Sequence, residues 1–186
     1  GFYSPELIDE VLGHLSKEEI TQIKSRALML QQGGAFLGMW TFALTAEKFG
    51  RKPAFRIAFG AAWASLIVVF LGFRSADQIY YLWPLLGFGT LMPFGGYALY
   101  FPELFPTRLR TTGTGFCYNT GRVVAALGPP LLTWLAASLE GTTAVSGFRL
   151  AAVIVSCCYL IGFLALRWAP ETRGLPLPED NPGPVS

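Results

Sequence analysis

Three side chains in the second half of the sequence have the types and spacing that suit the binding of an anion. Tyr118 and Asn119 lie four and three residues before Arg122, so a helix presents all three along one polar stripe. A guanidinium offers five donors in a planar fork that matches a carboxylate. The pattern predicts either contact with a carboxylate substrate or a structural ion pair between Arg122 and a carboxylate or carbonyl outside this chain.

The position of Arg122 within an apolar run gives this pattern its interest. If that run crosses a membrane, a helix that begins near Thr111 and rises 1.5 Å per residue puts Arg122 roughly 17 Å deep. That depth is near the middle of a hydrocarbon core about 30 Å thick. A charged side chain there costs on the order of 3 kcal/mol. We therefore expect the other helices to supply a protein interior or a water-filled cavity around it.

Other polar residues in the apolar runs are further candidates for substrate contact. Gln31 and Gln32 lie one turn inside the first run, where their amides either face a solvated vestibule or cap a neighbouring helix. Tyr97, in the third run, either faces the same cavity as Arg122 or packs against its neighbours. The sequence predicts no catalytic residue, metal site or cofactor, because it has one histidine, no CxxC pair and no phosphate-binding loop.

The composition predicts an all-α membrane protein. The chain is 14% charged and 52% hydrophobic with a mean hydropathy of +0.44, whereas soluble domains are about 25% charged. A net charge of +2 with mixed signs gives no reason to expect nucleic acid. Five apolar runs are long enough, or nearly so, to cross a lipid bilayer as helices: 27–46, 57–73, 79–101, 112–138 and 150–168.

Basic residues are concentrated on one side of this five-helix arrangement. Segments 47–56 and 102–110, together with the C-terminal end from Arg167 onward, carry eight, whereas the opposite side carries five, diluted by seven acidic residues. The positive-inside rule puts the segments with eight basic residues, and with them the C terminus, on the cytoplasmic side of the cell (inner) membrane. We thus expect an extracytoplasmic loop with a short amphipathic helix over 1–24, five transmembrane helices over 25–169 and a largely disordered cytoplasmic tail over 170–186.

Local patterns predict how some helices begin and pack. Ser16 and Glu19 have the spacing of a capping box, which predicts a helix that continues into the first apolar run. Gly34 and Gly38 predict a close approach to another helix. Glycines and prolines make the third and fourth runs the expected breakable spans and cavity walls.

Three charged segments, in this order and at these spacings, resemble the major facilitator superfamily of secondary transporters. Residues 46–52, AEKFGRK, resemble the loop between the second and third helices of each six-helix half. Residues 102–110, PELFPTRLR, resemble the loop between helices ten and eleven, and 170–174, PETRG, the end of helix twelve. The resemblance implies that the five runs are helices eight to twelve and that 1–3 end helix seven. It also implies a partner outside this chain, the N-terminal half of the transporter, with a small-molecule substrate bound between the halves.

Two branches of the superfamily compete. Sugar porters share the EKFGRK and PETRG segments, but their helix-eleven Gln-Trp pair falls on Gly121-Arg122 and their helix-ten Trp on Ala98. Asn119-x-x-Arg122, Gly128-Pro129 and the GLPLP tail are more similar to organic-ion and aromatic-acid porters, which implies an organic anion. A sugar porter, or a non-transporting membrane protein that keeps the fold, is the alternative.

The resemblance brings the three charged segments together at the cytoplasmic side. Their alternating signs favour an ion-pair network that holds that side closed and opens as the halves move. Exposed pairs contribute about 0–1 kcal/mol each, which suits a reversible contact. The alternative is that these charges only set topology and solubility. The predicted members are Glu47, Arg51, Glu103, Arg108, Arg110, Glu171 and Arg173.

Overall fold

The polar N-terminal segment forms one short helix and the start of a much longer one. In the computed structural model, helix α1 spans Ser4–Leu12 and helix α2 spans Lys17–Phe49. The Ser16 hydroxyl accepts a hydrogen bond from the Glu19 N–H at 3.3 Å, and the Glu19 carboxylate accepts one from the Ser16 N–H at 3.0 Å. The predicted capping box and the continuous helix into the first apolar run are thus confirmed.

All regular secondary structure in the described residues, 4–141 and 145–178, is helical. Residues 1–3, predicted to end helix seven, and the tail beyond residue 178 lie outside them. A single 3-10 turn, Ala76–Gln78, precedes α4. The other helices are α3 (Arg51–Gly72), α4 (Ile79–Leu104), α5 (Arg110–Ala125), α6 (Gly128–Leu139), α7 (Gly147–Ser156) and α8 (Cys158–Ala165).

Three helical stretches of the described residues are long and apolar enough to cross a membrane: Arg51–Gly72, Arg110–Leu139 and Gly147–Ala165. The second joins α5 to α6 and the third joins α7 to α8. The first and third predicted runs lie in α2 and α4, which are 33 and 26 residues long. Glutamines, glycines, prolines and aromatic hydroxyls dilute the hydropathy of these two helices, so length rather than hydropathy supports their crossing.

The interruptions in the helices follow the expectation only in part. The third run was expected to be breakable, but α4 is continuous through Pro84, Pro93 and Pro102. The fourth is interrupted between Ala125 and Gly128, just before two prolines that cannot donate to the preceding turn. The fifth is interrupted at residue 157 without any proline or glycine signal. Close packing explains why α4 remains whole, since neighbouring helices support a backbone that prolines weaken.

The closest packing is between α2 and α4. A Cβ added at Gly34 would overlap the carbonyl of Pro84, and one added at Gly87 would overlap the carbonyl of Gln31. The close approach predicted from Gly34 and Gly38 is therefore confirmed, and the absence of side chains lets the two backbones touch. Helix α3 packs against these two helices, α7 and α8 pack against α3, α5 contacts α4, and α6 contacts α7.

Two apolar clusters fill the interior, one at each end of the bundle. At the end that carries α1, the cluster includes Leu7, Ile8, Phe73 and Trp83. At the opposite end it includes the aromatic rings of Phe42, Phe55, Phe59 and Tyr100. By contrast, α5 has no buried residue and α6 has one, so this pair of helices presents its sides to the surroundings.

Candidate functional site

The predicted polar stripe lies on the exposed surface of α5. The guanidinium carbon of Arg122 sits 5.9 Å from the centroid of the Tyr118 ring, within the range of a cation–π contact. The amide nitrogen of Asn119 donates to the Gly115 carbonyl at 2.8 Å, one turn earlier. Arg122 forms no ion pair with any carboxylate of the described residues. The donors along the edge of its guanidinium are therefore available to a group outside this chain.

The surroundings of Arg122 differ from the expectation in one respect. The cavity expected around this residue is not built by the described residues, because its side chain is exposed. No atom lies within 4 Å of a Cβ added at Gly115 or Gly121, so the surface beside the stripe is open. Arg122 also lies in the last turn of α5, where the negative end of the helix dipole favours a cation.

The two glutamines of the first run diverge. Gln31 is buried and accepts a hydrogen bond from the Ser4 hydroxyl of α1 at 3.2 Å. Gln32, the next residue, is exposed. Only Gln32 is thus placed to meet a solute, whereas the Gln31 amide joins α1 to α2.

Tyr97 lies in a group of aromatic rings. Its ring is nearly parallel to that of Phe101, at 5.2 Å and 7°, and is tilted by 29° to that of Phe55 at 5.7 Å. Phe94 meets it edge-on at 5.7 Å. These contacts match the packing alternative for Tyr97.

Among the predicted network residues, Arg51 and Glu103 form the central pair. The Nε of Arg51 donates to Oε2 of Glu103 at 3.0 Å, and Nη2 donates to Oε1 at 2.5 Å. The third guanidinium nitrogen, Nη1, donates to the Ala46 carbonyl at 3.0 Å, so this arginine joins the end of α2 to the end of α4. The bond from Arg51 holds the pKa of the Glu103 carboxyl below its usual range.

Glu171 acts on backbone rather than on a charged side chain. Its carboxylate accepts from the N–H of Arg51 at 2.7 Å and from the N–H of Lys52 at 3.0 Å. It thereby caps the first turn of α3, which follows Gly50 at φ 105° and has no side-chain cap of its own. Partial burial raises the pKa of Glu171, but the backbone donors outweigh it, so the pKa lies below its usual range.

The sequence did not predict two contacts around Glu103 and the segment 170–173. The Thr172 hydroxyl donates a short hydrogen bond to Oε2 of Glu103. The Tyr100 hydroxyl donates to the Pro170 carbonyl at 2.7 Å. The segment 170–173 therefore lies across the ends of α3 and α4. Its PETR sequence was noted for its charges, although its threonine supplies the contact to Glu103.

The remaining predicted network residues lie around this centre. The Nε of Arg110 donates to the Pro102 carbonyl at 3.1 Å within its own connector. The Arg173 N–H donates to Glu171 at 3.2 Å, but its side chain is exposed. Glu47 and Arg108 are exposed as well. The structure thus brings together Arg51, Glu103 and Glu171, and sets the other four at the margin.

Comparison with known proteins gives consistent similarities. Residues 21–182 match the protein family described as "Sugar (and other) transporter". The chain is 36% identical over 126 residues to the cis,cis-muconate transport protein of Acinetobacter baylyi, covering 67% of this chain and 28% of that protein. It is 28% identical over 142 residues to a probable 4-methylmuconolactone transporter of Cupriavidus pinatubonensis, covering 76% of this chain and 32% of that protein. The chain thus spans about a third of the length of these relatives.

The fold is also similar to a solved structure. The xylose transporter XylE from E. coli, in a partially occluded inward open conformation, superimposes with a TM-score of 0.71 at 18% identity. The match covers 91% of this chain and 45% of that one. At this identity the similarity concerns the fold alone.

Proposed function

The chain belongs to the sugar (and other) transporter family, within the major facilitator superfamily, and from this premise we propose that it is part of a secondary transporter for a small organic anion. It is an integral membrane protein, as its family and its apolar helices indicate. In this proposal an N-terminal half outside this chain completes the pathway, and the substrate binds between the two halves.

The observation that carries the proposal is the unpaired guanidinium of Arg122. It lies on an exposed helix face beside open space, with Tyr118 under it and Asn119 on the same stripe. The ring lies 5.9 Å from the guanidinium carbon, and the guanidinium donors suit the two oxygens of a carboxylate. The competing role is an ion pair with a carboxylate of the other half. The printed names of two relatives, a muconate transport protein and a methylmuconolactone transporter, favour an organic acid as the substrate class.

Substitution of Arg122 tests the proposal in liposomes that contain the complete transporter. Arg122→Lys keeps the charge but loses the planar fork, so uptake of carboxylate substrates should fall at least tenfold, on the order of 1.4 kcal/mol. Arg26→Lys, a change at an exposed arginine of α2, is the matched control and should leave uptake unchanged. Normal carboxylate uptake by Arg122→Lys would overturn the assignment of Arg122 to the substrate.

A sugar porter is the second candidate, because the family description names sugars and the solved structure with this fold is a xylose transporter. Its prediction is opposite: Arg122→Lys leaves hexose or pentose uptake intact. Measuring xylose and muconate uptake by the same liposomes separates the two candidates. No uptake of either class would favour a membrane protein without transport activity.

The Arg51–Glu103–Glu171 cluster is proposed to hold the cytoplasmic side closed between transport steps. In this proposal the chain lies in the cell membrane and its C terminus lies on the cytoplasmic side. The pair joins α2, α3 and α4, while segment 170–173 lies across it. Arg51→Glu and Glu103→Arg should each reduce transport, and the double variant should recover part of it. Failure of the double variant to recover activity would remove the ion pair from the gating mechanism.

A further inference from the structure

Within the part of the chain that the structure describes, one side of α3 is uncovered from Arg56 to Leu71. Its exposed positions recur every three or four residues, which marks a single face of the helix. Apart from its first position, this face is apolar. At the end that carries Arg51 it begins with basic residues. The exposed members are Arg56, Ile57, Gly60, Ala64, Val68 and Leu71.

The basic residues at this end have charges that the described residues do not neutralise. Lys52 and Arg56 are four residues apart on α3, so their side chains share a face. Neither forms an ion pair with a described carboxylate, in contrast to the preceding residue, Arg51, and its partner Glu103. Glu171, at the same end, accepts from the backbone N–H of Lys52 and from that of Arg51.

The apolar face that follows these charges along α3 has a depression in its middle. Gly60 has no side chain, and no atom lies within 4 Å of a Cβ added there. Ala64, one turn further, is exposed and small. The larger side chains of Ile57 and Val68, which are 52% and 47% exposed, lie before and after this depression. This apolar depression suits an alkyl chain lying along the helix.

We propose that Lys52 and Arg56 bind the headgroup of an anionic phospholipid, whose acyl chain lies along Gly60 and Ala64. Two cations at the end of a membrane-crossing helix meet a phosphate at the depth of the headgroups. The apolar face continues from them into the hydrocarbon region, which a free phosphate would not require. The site therefore recognises a lipid through both its charge and its chain.

Lipid retention by the purified chain tests this inference. The chain is reconstituted in vesicles of phosphatidylglycerol and phosphatidylcholine in equal amounts, extracted into mild detergent, and its bound lipid is measured by mass spectrometry. Retained lipid should be enriched in phosphatidylglycerol. Lys52→Gln with Arg56→Gln should reduce the enrichment by about fivefold for each residue. Lys17→Gln with Arg26→Gln removes the same charge from exposed residues of α2 and should have no effect.

Two further measurements distinguish binding of a lipid from binding of free phosphate. Gly60→Leu fills the depression and should lower lipid retention although both charges remain, whereas excess inorganic phosphate should not displace the lipid. If the double glutamine variant does not fold, Arg56→Gln alone gives the same comparison at one exposed residue. Equal retention of the two lipids by the unsubstituted chain would overturn the inference. So would equal losses in the two double variants, or displacement by phosphate.

Discussion

Both ends of the bundle contain a buried apolar cluster, but the cluster is larger at the α1 end and the ion pairs differ in exposure. At the α1 end, Lys24 pairs with Asp9 at 2.6 Å and Arg149 pairs with Glu10 at 2.9 Å, and the two carboxylate side chains are 52% and 30% exposed. At the Arg51 end, both members of the pair are enclosed, with 19% of the Arg51 and Glu103 side chains exposed.

The difference indicates which end can open and close. Burial of apolar surface is not directional and is lost only when the elements separate. Hydrogen-bonded charges depend on geometry, and water or another partner can replace them at modest cost. We therefore expect the α1 end to contribute most of the stability and the Arg51 end to contribute the reversible contact.

The largest expected effect is at the α1 end. Ile8 is 1% exposed within the cluster that contains Trp83, so Ile8→Ala should destabilise the chain by about 2–5 kcal/mol. Val11→Ala, at a half-buried position of the same helix, should cost less. Thermal unfolding in detergent, followed by tryptophan fluorescence, measures both. A smaller loss for Ile8→Ala than for any change at the Arg51 end would reverse the comparison.

Breaking the enclosed pair comes next. Glu103→Gln removes the charge that faces Arg51 and should lower stability by about 1.5–3 kcal/mol, the range for hydrogen bonds to charged groups. Glu47→Gln removes a carboxylate from the same end at an exposed position and should have almost no effect. The same unfolding measurement applies. Equal effects of the two substitutions would mean that the pair is dispensable.

Loss of the α3 cap should cost less than loss of the pair. Glu171→Ala leaves two backbone N–H groups of α3 without their acceptor, at a cost of about 0.5–2 kcal/mol. Hydrogen exchange of the first turn of α3 should increase, while exchange in α4 stays unchanged. Faster exchange throughout both helices would show that Glu171 supports the whole end.

Loss of the Glu10 ion pair at the α1 end should matter least among the substitutions, because 30% of the Glu10 side chain is exposed. Glu10→Gln should change stability by about 0–1 kcal/mol, and added salt should reduce even that difference. Unfolding midpoints at low and high salt test this. A loss comparable to that of Ile8→Ala would mean that charge, and not burial, holds α1.

Mild acidification should have the smallest effect. The pKa values of Glu103 and Glu171 are lowered in the fold, so their contribution is fully present above the usual glutamate value of about 4.3 and declines as the pH falls through the lowered values. Stability at the Arg51 end should thus remain constant down to about pH 5 and decrease below pH 4. A decrease already between pH 7 and pH 5 would contradict these assignments.

Local signals in the sequence predicted the features that depend on a few neighbouring residues. Ser16 and Glu19 determine the start of α2 through bonds within one turn. Gly34 and Gly38 indicate a close helix contact because no side chain keeps the partner away. Charged segments around Arg51 and Glu103 were sufficient for the family resemblance. In each case the necessary groups lie close together in the chain.

Features that depend on distant partners were not predictable in the same way. Gln31 lies against α4 and bonds to Ser4 of α1, whereas Gln32 is exposed, so the difference between these two neighbours depends on elements distant in the chain. Pro93 weakens a helix in isolation, yet the packing of α2 and α3 keeps α4 continuous. The interruption at residue 157 has no local breaker. The contact of Thr172 with Glu103 joins residues 69 positions apart.

The cap on α3 also has a consequence for biosynthesis. Glu171 lies 120 positions after the N–H of Arg51 to which it bonds. At a translation rate of about 5–20 residues per second, that donor waits roughly 6–24 seconds for its acceptor to leave the ribosome. Chains that stop before residue 170, through nonsense mutation or proteolysis, would keep every apolar helix and yet never complete this junction.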